Sequence, residues 1–146
     1  MEGLLGYMIN YCDKMNKYLK ILIGLMVILT VMSVMNVVSA ENICGVNIII
    51  PSGYHIDPST YETEYTRGEL ITSEMCRNSD GGVFGVVVFS PQIKFEANKT
   101  IGGKNGQLRY NSSDNLYQFM YDDGGKTIIF TTENENAIYE ALGDRK

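Results

Sequence analysis

Residues 21–40 (ILIGLMVILTVMSVMNVVSA) are twenty consecutive uncharged, mostly apolar positions, and they follow directly on Lys14, Lys17 and Lys20. An apolar stretch of about 20 residues matches a hydrocarbon core of roughly 30 Å, and a basic flank ahead of it orients the chain so that everything downstream is exported. Val38, Ser39 and Ala40 place small residues before a cleavage point, which makes residues 1–40 a signal peptide or signal anchor. Ser33 and Asn36 weaken the last third of the run as a span, so cleavage that leaves Glu41 first is the favoured reading; uncleaved, residues 21–40 would be held in the membrane. Met15 opens MNKYLKILIGL, a more typical signal start than Met1, and Cys12 precedes the run without any functional role.

Residues 41–146 suffice for one extracellular domain and are too few for two. Fifteen acidic residues against nine basic ones give this part a formal charge of −6, and no Lys/Arg cluster interrupts it. Such a surface repels a phosphate backbone, so nucleic acid is excluded as a partner. Cys44 and Cys76 are the two cysteines of the exported part. In an oxidising compartment they are expected to form a disulfide, worth roughly 3 to 4 kcal/mol by chain entropy; the alternative is two free buried thiols in reducing surroundings. Two thiols without a close Cys pair make a poor zinc site, and no cofactor is expected.

The chain reads as α+β, a small mainly antiparallel sheet with a C-terminal helix packed on one face. Val46, Ile48 and Ile50 open a first strand that Pro51 and Gly53 stop. In HIDPSTYETEYTRGELITSEMC, Asp57 before Pro58 resembles a helix start, whereas four threonines and Gly68 disfavour a long helix. A short helix or irregular excursion ending in a strand near Leu70 is expected there. Residues 83–89 (VFGVVVF) read as a central strand buried on both faces, and Ile93 and Phe95 as a further half-buried strand. Glycine-rich NKTIGGKNG reads as turn chemistry, since its spacing does not match a phosphate loop. Tyr117, Phe119 and Tyr121 share one face of the next strand, Asp123 and Gly124 signal a hairpin onto KTIIFT, and Thr132 with Glu135 suggests a capping box. Ala137, Ile138, Ala141 and Leu142 then form the apolar stripe of a helix that Gly143 ends.

His55 is the single histidine, and on an extended backbone it shares a side with Asp57. That pair is the one arrangement that would suit a small extracellular hydrolase, although no serine motif such as GxSxG accompanies it. The carboxylates at Asp80, beside Gly81 and Gly82, and at Asp122 and Asp123 lack the calcium-loop spacing and read as solvated turns. Seven tyrosines lie beyond residue 45. Tyr54, Tyr61 and Tyr65 form a candidate partner surface through their amphipathic rings. Asn98 and Asn111 each begin an N-x-[ST] sequon in a polar turn, so both are candidate glycosylation sites.

Ile50, Pro51, Gly53 and Tyr54, followed by Gly103, Gly106, Phe119, Tyr121, Gly125, Lys126 and Ile128, give an order IPSGY … G…G…F-x-Y…GK…I. This order resembles small secreted or membrane-tethered proteins of methanogenic archaea. The resemblance implies export and fold and carries over no catalytic residue. The expected function is therefore non-enzymatic binding of a cell-envelope component or surface protein. In its native host the mature chain is expected to begin at Glu41, which N-terminal sequencing checks; a start at Met1 or Met15 would show that the apolar run 21–40 is retained as an anchor.

Overall fold

Alternation of apolar and polar side chains runs through much of the chain beyond residue 40, and it produces nine strands among residues 39–144, those described by a computed structural model. In chain order these are β1 (Ala40–Ile43), β2 (Val46–Ile49), β3 (Tyr54–Thr66), β4 (Glu69–Asn78), β5 (Val83–Ser90), β6 (Lys99–Ile101), β7 (Lys104–Asn111), β8 (Leu116–Asp123) and β9 (Lys126–Thr132), followed by helix α1 (Glu135–Ala141). β1 and β2 pair as a separate hairpin, and the others form one antiparallel sheet in the order β3-β4-β5-β9-β8-β7-β6. Four hairpins close through two residues at positive φ: Cys44 and Gly45, Arg67 and Gly68, Gly102 and Gly103, Gly124 and Gly125. Loops of that kind match the right-handed twist of the strands they join.

Register assigns the faces. Phe84, Val86 and Val88 of β5 pair with Thr132, Phe130 and Ile128 of β9, which pair in turn with Tyr117, Phe119 and Tyr121 of β8. With a side-chain period of two, all nine point to one side. Hairpin β1–β2 covers that side through Ile43 and Ile48, and α1 covers it through Ala137, Ile138 and Ala141. Phe130 lies 5.3 Å from Phe84 and 5.7 Å from Tyr121 between ring centroids. Each such buried ring contributes about 2 to 3 kcal/mol through the area it removes from water. The fold class read from the sequence is the one the chain adopts.

Across the opposite face runs the segment 91–98. Ile93 N–H donates to Thr127 Oγ1 at 3.1 Å, and Asn98 N–H reaches the Gly106 carbonyl at 2.8 Å. The strand expected at Ile93 and Phe95 is replaced by this strap because β6 lies beyond β9, β8 and β7 from β5, and the chain must cross all three. β5 is buried on one face and half-buried on the other, under that less complete cover.

Two further expectations change. Residues 54–66 form a single thirteen-residue strand rather than a helix or irregular excursion. The β-branched threonines that disfavour helix suit a pleated strand. Asp57 and Pro58 mark a bulge: register passes from Asp57 opposite Met75 to Glu62 opposite Ser73. At the helix, the N-cap is Asn134, whose side chain accepts from Asn136 N–H at 3.1 Å, while Thr132 still belongs to β9 and accepts from Asn134 N–H. Gly143 ends the helix at φ 70°, with Gly143 N–H on Glu140 O and Asp144 N–H on Tyr139 O.

The membrane assignment for residues 21–40 is corrected as far as the described residues reach. None of their helices is long and apolar enough to cross a membrane, and Ala40, the last residue of that run, pairs with Ile49 in strand β1. The cleavage-site residue Val38, the lysines ahead of the run and the rest of it lie outside the described residues.

The disulfide is corrected too, since Cys44 and Cys76 are both free thiols. Cys44 sits in the β1–β2 turn with its Sγ 4.0 Å from the Val86 carbonyl. Val86 pairs with Glu74 and Phe84 with Cys76, so the turn delivers Cys44 two residues along the sheet from the Cys76 position. Burial, reinforced by the Glu74 carboxylate, pushes both thiols from the ordinary 9.0 up to about 11.

Two outcomes follow. Gly106 lies in β7 under Phe119, and a Cβ there would meet the Met120 carbonyl and the Phe119 ring. Gly106→Ala is therefore expected to lower unfolding free energy by about 1 to 3 kcal/mol, read from urea denaturation. For the thiols, the unfolded chain releases its protons before the folded one does, so their contribution is complete below pH 9 and is lost as pH rises toward 11. Urea midpoints should fall across that window, less steeply in a Cys44→Ala, Cys76→Ala variant, and reduction should leave the intact mass unchanged.

Candidate functional site

The residues singled out in the sequence fall into separate places. His55 and Asp57 lie on β3 opposite Arg77 and Met75 of β4, on the face away from the core cluster. Asp57 is already engaged: Ser59 donates to Oδ1 through both its hydroxyl and its N–H, and Arg77 Nε donates to Oδ2 at 2.8 Å. These contacts, Ser59 first and Arg77 second, hold the Asp57 carboxyl below its usual range. The carboxylate that would orient the imidazole is thus committed to the bulge of its own strand and to the neighbouring strand. The Ser59 hydroxyl meets it with no imidazole in between.

Tyr54 separates from the other two tyrosines. It packs edge-on against Phe84 at 6.3 Å and belongs with the core. Tyr61 and Tyr65 are 55% and 74% exposed, and Leu70, opposite Tyr65 on β4, is 41% exposed. These three occupy the far part of the β3–β4 hairpin. Thr63 Oγ1 donates to the Tyr61 hydroxyl at 3.2 Å, which places Tyr61 and Thr63 on one side of β3. Period-two alternation adds Tyr65 to that side and puts Glu62 and Glu64 on the other.

β3 is the end strand of the sheet among the described residues, where it pairs with β4. Its near half is closed to further pairing by the bulge at residues 58–61: Pro58 has no N–H, and Thr60 Oγ1 accepts from Met75 N–H at 2.9 Å while donating to Asp57 O. From Glu62 to the turn the pairing with β4 is regular. Thr66 and Glu69 flank a two-residue loop and exchange hydrogen bonds, so in alternation Thr63 and Tyr65 turn their backbone N–H and C=O groups outward.

The other end of the sheet is finished differently. β6 has three residues, and Asn98 beside it pairs with Leu108 through its side chain, donating to Leu108 O at 3.1 Å and accepting from Leu108 N–H at 2.8 Å. Asn98 thus uses the amide that a glycan would occupy. Asn111, the other sequon residue, donates to Asp114 Oδ2 within the β7–β8 turn.

Two cavities lie among the described residues. One, of about 540 Å³, lies on the core side, between the β1–β2 hairpin, the end of α1 and the β8–β9 turn, with Lys104, Tyr121, Asp123 and Lys126 in its wall. The second, of about 340 Å³, lies under the strap between Phe95, Gln107 and Arg109. His55 and Asp57 line neither. Sequence reasoning missed the larger cavity, although Lys104, Asp123 and Lys126 flank the glycine pairs that mark its hairpin turns. No group of three or more metal-ligating side chains occurs among the described residues. Comparison with known proteins finds no matching family model, no matching curated protein and no matching solved structure.

Proposed function

We propose that the protein is a non-catalytic binding domain, acting outside the cytoplasm, which takes up an extended basic segment of a protein partner as an added strand along residues 62–66 of β3. The observation that carries this reading is the half-edge left uncovered among the described residues, where Thr63 and Tyr65 turn backbone groups outward between exposed aromatics and glutamates. Strand addition draws affinity from main-chain hydrogen bonds and specificity from alternate side chains. Here one side of the incoming strand would rest on Tyr61 and Tyr65, and the other would face Glu62 and Glu64. Lys or Arg alternating with apolar residues satisfies both. A second copy of this chain fails on the acidic side, because antiparallel pairing of two β3 edges sets glutamate against glutamate.

A capped heptapeptide alternating Lys and Val tests the proposal on the full chain by amide chemical-shift titration. Shifts are expected at residues 62–66, and a Glu/Val peptide should not produce them. Thr63→Pro removes an outward N–H that the sheet does not use and should weaken binding at least tenfold, about 1.4 kcal/mol, with the fold retained. Equal binding of the Glu/Val peptide, or undiminished binding by Thr63→Pro, would overturn it.

A further inference from the structure

The larger cavity has a directional wall. Lys104, Tyr121, Asp123, Lys126 and Ile128 stand on the core face at the end of β7, β8 and β9, since Gly106 pairs with Tyr121, Tyr121 with Ile128 and Asp123 with Lys126. Lys104 Nζ is 2.8 Å from Asp123 Oδ2 and 5.5 Å from the Tyr121 ring centroid, so its charge is met from two sides. Lys126, across the Gly124 and Gly125 turn from Asp123, has no ion-pair partner among the described residues. The wall therefore carries one cation in excess, in a domain that is otherwise acidic.

Tyr121 is 2% exposed and lines this cavity, and its hydroxyl has no hydrogen-bond partner among the described residues. That hydroxyl is not among the enclosed side-chain polar atoms left without a partner, so it keeps accessible surface that a ligand can reach. Burial, with the Asp123 carboxylate adding to it, pushes this phenol well above its ordinary value, so it remains an O–H donor at every physiological pH. The opposite wall is apolar: Val46 and Ile49 from the hairpin, Ala141 and Leu142 from the helix end. Negative charge therefore belongs at the lysine side.

We infer that this cavity binds a small monocarboxylate with an apolar chain, its carboxylate taken by Lys126 and the Tyr121 hydroxyl and its chain laid between Val46, Ile49, Ala141 and Leu142. A volume of about 540 Å³ is within the range of small-molecule sites, and a few placed donors on an apolar lining are their usual chemistry. The site is independent of the β3 edge and stands whether or not that edge binds a partner.

Amide chemical-shift titration of the full chain with octanoate, octanol, octylamine and N-acetylleucine tests it. Octanoate should saturate with a dissociation constant of about 1 mM and shift Gly102, Gly124, Ile49 and Ala141 together. Lys126→Gln, at an exposed turn position, should weaken it about tenfold, and Tyr121→Phe, which keeps the ring, should weaken it several-fold. Octanol or octylamine binding as tightly as octanoate would overturn the charge assignment. Tighter binding of N-acetylleucine would identify a peptide C-terminus as the ligand and overturn the small-molecule one, and the absence of saturable shifts up to about 10 mM octanoate would overturn the site.

Discussion

Contact between β5 and β9 is what the rest of the structure depends on. Strands β3, β4 and β5 form one meander and β6 to β9 another, and Phe84 against Phe130 is where the two meet. Each meander is held by local hairpins, whereas their junction closes a long loop and must offset its entropy by burial. Phe130 does so from the middle of the row, touching Phe84 on one side and Tyr121 on the other. The same row sets the footing for Ile43, Ile48 and Ile138, so hairpin β1–β2 and helix α1 have a surface to cover only once the junction exists. The strap across the other face is equally a consequence, since the chain reaches β6 only by passing under the strands this junction brings together.

What could be read from the sequence tracks how local its cause is. The Tyr117, Phe119, Tyr121 alternation, the turn at Gly124 and Gly125 and the apolar stripe of α1 depend on neighbours within a few residues, and all three are present. β3 failed as an expectation because Asp57 and Pro58 have two meanings: a helix start and a bulge on an edge strand. Only the presence of β4 alongside, with Met75 N–H on Thr60 Oγ1, selects the second. Gly106 was read as a turn glycine, but its requirement is the Phe119 ring above it, a contact between strands that spacing does not encode. Cys44 and Cys76 illustrate the same limit. Composition and compartment suggested a bond, while the register that sets Cys44 over Val86 rather than Cys76 is tertiary.

The candidate sites were legible in part. Tyr61 and Tyr65 are exposed as a partner surface requires, and Tyr54 belongs to the core because the pairing of Ile56 with Cys76 turns that end of β3 toward Phe84. His55 and Asp57 do share a side of one strand, as spacing required, yet Arg77 from β4 takes the carboxylate. The larger cavity was invisible because its wall combines residues from β7, β8 and β9 with a hairpin that arrives from the other end of the chain.

The two ends of the sheet show how the fold divides protection from availability. Bare strand edges invite pairing, and proteins commonly close them. Here the β6 end is short and is continued by the Asn98 side chain, which copies a backbone pair against Leu108. At the β3 end closure stops halfway: Pro58, the bulge and the Thr60 hydroxyl block the part nearest the core, and beyond them five residues run straight, with Glu62 and Glu64 and no further strand among the described residues. Glutamates repel a second acidic edge without preventing a basic strand from pairing, so the proposed partner is one of opposite charge. That selective opening follows from register and charge together, and neither property alone would produce it.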